Sequence, residues 1–370
     1  QRRTTYTCIL MLSGAAMPRF TVEHVSDLSA WRRGKSDEIA EYQADYLTEA
    51  LWEFVSPAAR RVFERLRVDY PTTLGQVADI FVGVQTSADK LYIVTPVAET
   101  EADVTFVDVA GATWTIEKAI VRPCLKDVAL PAYSRPQANT YVIFPYTIGE
   151  DGARLYTPEE MQVRFPQCWA YLNAHQHTLS QRSIQGRTPE TWYRYGRSQS
   201  LTKFDGALKL IWPVLSLEAR YAYDDQNIIF TGGGNGPYYG LRPRPDTELS
   251  IHYLQAVLSH PVIEAMVRAI GSAFRGGYRS HGKQFVRDLP IRQIDFADAG
   301  EKAVHDSVVD LVKALIQATE RAATTTVPAQ RQQAEQQAYR LRQAIERKIS
   351  DLYHITATDL AAVGAILEWE

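Results

Sequence analysis

Between residues 274 and 285 the chain sets Arg275, Arg279, His281 and Lys283 among Phe274, Tyr278, Phe285 and the glycines Gly276, Gly277 and Gly282. A packed core has no use for so many charges, and an ordinary surface loop rarely carries so many aromatics. Cations grip phosphate, rings stack on bases, and glycines let a backbone come close, so the set suits a polyanion. A second set lies in the turn at 83–90, where Gln85, Thr86 and Lys90 stand side by side. Backbone amides and Thr86 there can meet phosphate, while Gln85 or Lys90 reaches a base edge. An ordinary polar loop accounts for that spacing equally well.

Two basic runs extend the pattern. Residues 182–209 hold Arg182, Arg187, Arg194, Arg197, Lys203 and Lys209 against Glu190 and Asp205, with Trp192, Tyr193 and Tyr195 interleaved. Residues 264–292 hold Arg268, Arg275, Arg279, Lys283, Arg287 and Arg292 against Glu264 and Asp288. A charge run is usually a solvated face. Two such runs in a chain of net charge -3 point instead to a local basic cleft.

Signals for catalysis are weak. Gly232, Gly233 and Gly234 follow an apolar stretch but lack both dinucleotide-loop spacing and a phosphate-binding lysine. Asn235, Gly236, Pro237 and Tyr238 approximate the Asn-Pro-Pro-Tyr loop of amino-methyltransferases, yet Gly236 stands where the first proline belongs. The stretch reads as a strand-ending turn. Cys8, Cys124 and Cys168 are far apart, and His175 with His177 has no zinc-ligand company, so a reduced intracellular protein without a metal is expected. No stretch approaches the roughly 18 to 20 apolar residues of a membrane span.

The elements that must position these residues follow from pattern. The 370 residues, 45% apolar and 22% charged, suit a folded chain of two or three domains. Residues 6–12 and 19–25 read as a hairpin, and 38–54 as an amphipathic helix. Residues 58–67 form a helix, and 73–84 a helical turn feeding a strand. Further strands are expected at 91–94, 104–108, 112–116, 141–146, 208–214, 220–223, 227–231 and 238–241, and around Ile291. Thr157, Pro158, Glu159 and Glu160 start a helix that runs to 179. Helices follow at 250–259, 261–271, 299–320, 329–353 and 359–366, with a threonine-rich linker at 322–328. Leu341, Ile345 and Ile349 give the 329–353 helix a face for the 299–320 helix.

Taken in order, five segments resemble the C-terminal half of adenine-specific DNA methyltransferases of the fused restriction-modification and phage-defence types. Arg3 to Leu10 is similar to the last hairpin of their catalytic domain. Gly83-Val84-Gln85-Thr86 with Asp89-Lys90-Leu91-Tyr92-Ile93 is similar to the opening of their target-recognition domain. Trp192-Tyr193-Arg194-Tyr195 with Lys209-Leu210-Ile211-Trp212-Pro213 matches its centre, and Tyr253 to Ser259 with Leu289-Pro290-Ile291 its close. Ile345 to Tyr353 and Thr356 to Glu368 resemble the terminal helical tail.

The resemblance implies an α+β protein in three parts. Residues 1–56 would be the remnant of a methyltransferase domain with a linking helix. Residues 57–298 would be a β-rich target-recognition domain with an inserted helix, and 299–370 a helical domain able to dock a partner subunit. It implies a cytoplasmic protein that reads double-stranded DNA. The whole protein would transfer a methyl group from S-adenosylmethionine to adenine N6, using motifs upstream of residue 1, and no cofactor is expected on these residues. DNA contacts fall on Gln85, Thr86, Lys90, Arg187, Arg194, Lys203, Arg275, Tyr278, Arg279 and Lys283, and no catalytic residue is assigned. Two other readings stay open: a protein-interaction subunit acting through the 299–353 helices, and an enzyme using the loop at 235–238.

Overall fold

A computed structural model describes residues 10–11, 14–15, 17–25, 27–35, 38–47, 52–184, 188–206, 208–232, 237–274 and 276–368. The chain is a mixed α+β protein with several open sheets.

A four-stranded antiparallel sheet organises the rest. Its order across the sheet is Ala222–Asp224, Lys209–Pro213, Tyr238–Pro243 and Ala78–Val82. Alternate residues point to opposite faces, and each face feeds a different core. Ile80, Leu210, Trp212 and Leu241 enter the first core, while Phe81, Ile211 and Tyr238 enter the second. A sheet covered on both faces explains why Leu210, Ile211 and Trp212 form an unbroken apolar run.

Helices fill the first core. Pro57–Asp69 is capped by Ser56, whose Oγ accepts the Ala59 amide at 3.2 Å, and buries Ala59, Val62, Phe63 and Leu66 at helical spacing. Ile251–Leu258, Pro261–Ile270 and the helical hairpin of Ala299–Thr324 with Pro328–Leu352 pack beside it. The last helix, Ala357–Glu368, returns to the first: Arg65 pairs with Asp359 at 2.8 Å and donates to the His354 carbonyl at 3.1 Å. Arg268 donates to the Leu367 carbonyl at 2.5 Å.

The second core lies under a second four-stranded sheet, ordered Ile229–Phe230, Val121–Leu125, Thr140–Ile143 and Ile93–Val94. A three-stranded meander of Pro96–Glu99, Asp103–Val107 and Thr113–Glu117 flanks it. Phe81, Phe204 and Phe230 form a cluster with ring centroids 5.1 to 6.0 Å apart. Each such pair adds about 0.5 to 1.5 kcal/mol beyond its area burial.

The structure corrects several sequence expectations. Residues 38–54 are not one helix: Glu38–Gln43 is a strand paired with Arg19–His24. Tyr42 stacks on Phe20 at 5.4 Å and meets Phe54 edge-on at 5.7 Å, so cross-strand packing overrides the helical spacing. Most of the hairpin partner expected at 6–12 lies outside the described residues. The helix expected over 158–179 is three, Pro158–Arg164, Pro166–Ala174 and Gln176–Ser180, because Pro166 cannot continue the first. The strand expected at 91–94 is the turn Asp89–Tyr92 followed by two extended residues. Near Ile291 a single bridge joins Thr73 to Pro290 instead of a strand. The threonine-rich linker shrinks to three residues, since the helix before it runs to Thr324, whose hydroxyl donates to the Glu320 carbonyl at 2.8 Å.

Candidate nucleic-acid interface

Register places several loops at one end of the central sheet. Val82 and Trp212 both lie opposite Tyr239, and Pro213 lies opposite Tyr238. The chain therefore leaves the sheet at Gly83 and Val214 and returns at Pro237 from the same end. Leu215–Ser216 then pairs antiparallel with Arg279–Ser280, which brings the aromatic and basic hairpin to that end as well.

Two glycines make the junction possible. Val84 donates to the Phe230 carbonyl and Gly232 to the Val84 carbonyl, both at 2.9 Å, in a parallel bridge between Val84 and Thr231. A Cβ on Gly83 would stand 2.1 Å from the Phe230 oxygen, and one on Gly232 would stand 2.3 Å from the Gly83 nitrogen. Side chains are excluded where the two backbones cross. Gly196 meets a side chain instead of backbone, since a Cβ there would overlap the Ser87 Oγ at 1.8 Å.

The 85–90 turn is built from inside. Thr86 is fully buried: its hydroxyl bonds the Asp89 carboxylate and accepts the Ala88 amide at 3.0 Å. The hydroxyl shapes the turn. Gln85 is half-buried, while Ser87 (φ 55°) and Lys90 are exposed. With Thr178, Arg182 and Gly232 they line a cleft of about 540 Å³.

Arg182 holds this arrangement together. Its guanidinium donates to the carbonyls of Leu179, Thr86, Trp192 and Arg194 at 2.6 to 3.0 Å and lies 5.5 Å from the centre of the Tyr92 ring. Through those bonds the 85–90 turn is tied to the 192–197 segment, where Gly196 and Arg197 donate to the Thr86 and Gln85 carbonyls at 3.1 and 3.2 Å. Charge-assisted bonds are worth about 1.5 to 3 kcal/mol each when well shielded, and less on this half-exposed side chain. Arg182→Ala is expected to cost about 2 to 3 kcal/mol locally. Hydrogen exchange at the Gly196 and Arg197 amides should speed up at least tenfold, with Leu210 and Ile211 unchanged. Equal acceleration at all four would mean that Arg182 supports the whole fold.

The second projecting element is the turn between Ala273 and Arg279, which bridge across it. Phe274 donates to the Tyr278 carbonyl at 2.8 Å, and Gly276 and Gly277 take left-handed φ values of 78° and 77° that other residues rarely adopt. Phe274 and Tyr278 are 42% and 43% exposed. Beneath them a buried pair anchors the arm. His281 Nε2 meets the Glu264 carboxylate at 3.0 Å, its Nδ1 faces the Arg279 carbonyl at 3.1 Å, and its own carbonyl accepts from Trp212 Nε1 at 2.9 Å. Lys283 is exposed at the start of the short helix Lys283–Val286.

The two basic runs do not form two basic faces. Lys209 is buried in an ion pair with Asp224 across the ladder, and burial pushes its ammonium pKa down against the pull of that carboxylate. Arg292 points inward to Glu301 at 3.0 Å, and Arg268 is also buried. Trp192, Tyr193 and Tyr195 are core residues. Arg194 is half-buried, with its carbonyl held by Arg182. Lys203 sits at the opposite end of the sheet, 2.9 Å from Asp79. Partial burial pushes the Asp79 carboxyl up, but Lys203, with Arg242 and Arg244 behind it, holds it below the usual carboxylate range.

Arg187 and Arg275, with residues 233–236, lie outside the described residues. Gln85, Lys90, Tyr278 and Arg279 thus belong to loops at one end of the sheet. Sequence reasoning missed Arg182, Gly232, Gly196 and the His281–Glu264 anchor as the parts that hold those loops. Glycines recurring at loop edges were their only signal. Among the described residues, no three His, Cys, Asp or Glu side chains are placed to hold a metal ion, and no helix is long and apolar enough to cross a membrane.

No family model matches the chain. It is 28% identical over 324 residues to the Type II restriction enzyme and methyltransferase RM.Eco57I of Escherichia coli, an alignment covering 83% of this chain and 32% of that protein. The chain is a homologue of restriction-modification methyltransferases. Two further relatives are the Type II methyltransferases M.BstVI of Geobacillus stearothermophilus and M.XhoI of Xanthomonas vasicola. The first is 21% identical over 65% of this chain and 38% of its own length, the second 24% over 44% and 29%. This restriction-modification homologue spans about a third of the length of the curated relatives it matches.

Proposed function

We propose that this chain is the DNA-reading part of an adenine-N6 methyltransferase that uses S-adenosylmethionine. What supports the reading is the gathering of separate loops at one end of a rigid sheet, in a homologue of restriction-modification methyltransferases. Loops of this kind can enter a groove together while the sheet fixes their spacing. We assign residues 57–298 to target recognition and 299–370 to a supporting helical region.

Gln85 and Lys90 are the base-edge candidates, because the cleft they line opens between two clamped segments. Arg194, Arg279 and Lys283, with Arg187 and Arg275, are assigned to phosphates, and the exposed Tyr278 ring to stacking on sugar or base. Thr86 serves by holding the turn.

The described residues do not fit an S-adenosylmethionine site. Dinucleotide-type pockets follow a parallel strand with a glycine loop that opens a helix. Among the described residues, Ile229–Phe230 runs parallel to Val121–Leu125 for only two residues, and Gly232 after it is packed on Gly83. On this reading methyl transfer belongs to residues other than the described ones. That chemistry requires the adenine to leave the duplex stack, and the recognition loops would hold the opened duplex.

Selection from a randomised duplex pool with the 370-residue chain tests the reading. A short enriched motif is expected, bound at an affinity that falls as salt rises. Lys90→Ala and Gln85→Ala should relax preference within that motif, by about 1 to 3 kcal/mol per lost base contact. No enrichment, together with a stable complex between the 299–353 helices and a partner subunit, would overturn it.

A further inference from the structure

The end of the central sheet away from the recognition loops carries a charge cluster that the proposed reading does not use. Asp79 lies on the edge strand, directly opposite Arg242 in the ladder. Three cations converge on its carboxylate: Lys203 Nζ at 2.9 Å, Arg242 Nε at 3.7 Å and Arg244 Nε at 4.0 Å. They reach it from separate segments. Lys203 comes from the 3-10 turn Leu201–Phe204, Arg242 from the strand Tyr238–Pro243, and Arg244 from the turn after it.

A single carboxylate cannot neutralise three cations. Asp205 and Asp246, in the adjacent turns, make no ion pair with any of them. All four side chains of the cluster keep between 27% and 44% of their surface exposed, so an anion can approach from solvent. Arg244 is held from behind, its guanidinium donating to the Gly75 carbonyl at 2.8 Å and its amide to the Val77 carbonyl at 2.9 Å. The long contacts from Arg242 and Arg244 leave each guanidinium with donors to spare.

Distance links the cluster to the loops. Asp79 and Gly83 are four residues apart on an extended strand, roughly 13 Å. The major groove of duplex DNA is about 12 Å wide. The two ends of this edge strand are thus about one groove width apart, which suits a duplex lying along the strand direction.

We propose that Lys203, Arg242 and Arg244 form a second, sequence-independent contact to the phosphodiester backbone of duplex DNA, and that the Asp79 carboxylate occupies the phosphate's place while no DNA is bound. Asp79 competes with phosphate for the three cations and weakens their hold on any duplex, so that discrimination is left to the loops at the other end. The inference rests on the proposed DNA-reading function, but it assigns a separate site with a charge of its own to test.

The experiment compares the 370-residue chain with Asp79→Asn, Lys203→Ala, Arg244→Ala and the triple variant K203A/R242A/R244A. Binding to a preferred and a scrambled duplex is followed by fluorescence anisotropy between 50 and 200 mM salt, conditions in which each phosphate contact contributes about 0.9 to the log–log slope. Asp79→Asn is expected to tighten both duplexes at least threefold and leave their ratio unchanged. The triple variant should flatten the slope by about 0.9, one phosphate contact, and weaken both duplexes equally, and the single variants should fall between it and the parent. A cluster that is merely structural predicts the opposite sign for Asp79→Asn, because removing its charge would then loosen the site.

Unchanged affinity and slope in Asp79→Asn and in both single variants, with sequence preference intact, overturns this inference alone. A gain in Asp79→Asn on duplexes that the chain does not distinguish overturns the recognition reading alone. Absence of duplex binding overturns both.

Discussion

Gly83→Ala is expected to destabilise the chain by about 4 kcal/mol and to abolish any selective binding by its loops. The added methyl would sit 2.1 Å from the Phe230 oxygen and 2.4 to 2.6 Å from the Thr231 carbonyl group. These are backbone atoms, so no rotamer change relieves the overlap. The two segments must separate, and the bonds from Val84 to Phe230 and from Gly232 to Val84 are lost together. Leaving such groups unpaired costs about 1 to 3 kcal/mol each. Urea unfolding measures the loss, with Gly149→Ala as the control. Nothing lies within 4 Å of a Cβ at Gly149, and its substitution should stay within about 0.5 kcal/mol of the parent. Equal midpoints for the two variants would show that the crossing at Gly83 is not tight.

Lys209→Met should cost about 3 to 5 kcal/mol, the range found when one member of a buried ion pair is removed. Lys209 and Asp224 are both fully buried and face each other across adjacent strands. Asp224 also accepts the amides of Gln226 and Ile228 at 2.9 and 3.0 Å, so it closes the turn that follows its strand. Without Lys209 its charge keeps those amides but loses its counter-ion inside the protein. Lys209→Met combined with Asp224→Asn removes both charges and should recover most of the loss, since asparagine can still accept one amide bond. A double variant no more stable than the single one would show that the cost comes from packing rather than from charge.

The sequence was legible where a pattern depends on near neighbours. The helices Pro57–Asp69, Ile251–Leu258, Pro261–Ile270 and Pro328–Leu352 follow from spacing, caps and prolines. So does the meander hairpin of Asp103–Val107 with Thr113–Glu117 around Gly111. Illegible features were those decided by distant residues. Tyr42 looks helical in sequence and becomes a strand residue because Phe20 and Phe54 pack against it. Arg182, Lys209 and Arg292 look like a solvated basic surface, yet each faces inward to carbonyls or a carboxylate supplied from elsewhere in the chain. Composition records how many cations a segment holds but not which way they point. In the candidate site, the 85–90 and 274–279 loops could be singled out from their residue types. Their meeting at one sheet end required the register of strands far apart in sequence.

The return of Ala357–Glu368 to Pro57–Asp69 has a practical meaning. Arg65 and Asp359 clasp the beginning and the end of a stretch of about three hundred residues, so the chain goes in and comes out at neighbouring points. A stretch of that kind can be exchanged as a block, because whatever flanks it sees the same two attachment points before and after. On the proposed DNA-reading function, a cassette cut near residues 56 and 368 would carry the loops at the sheet end and both of their supporting cores together. Cuts made inside the β-rich part would instead sever the sheet those cores share.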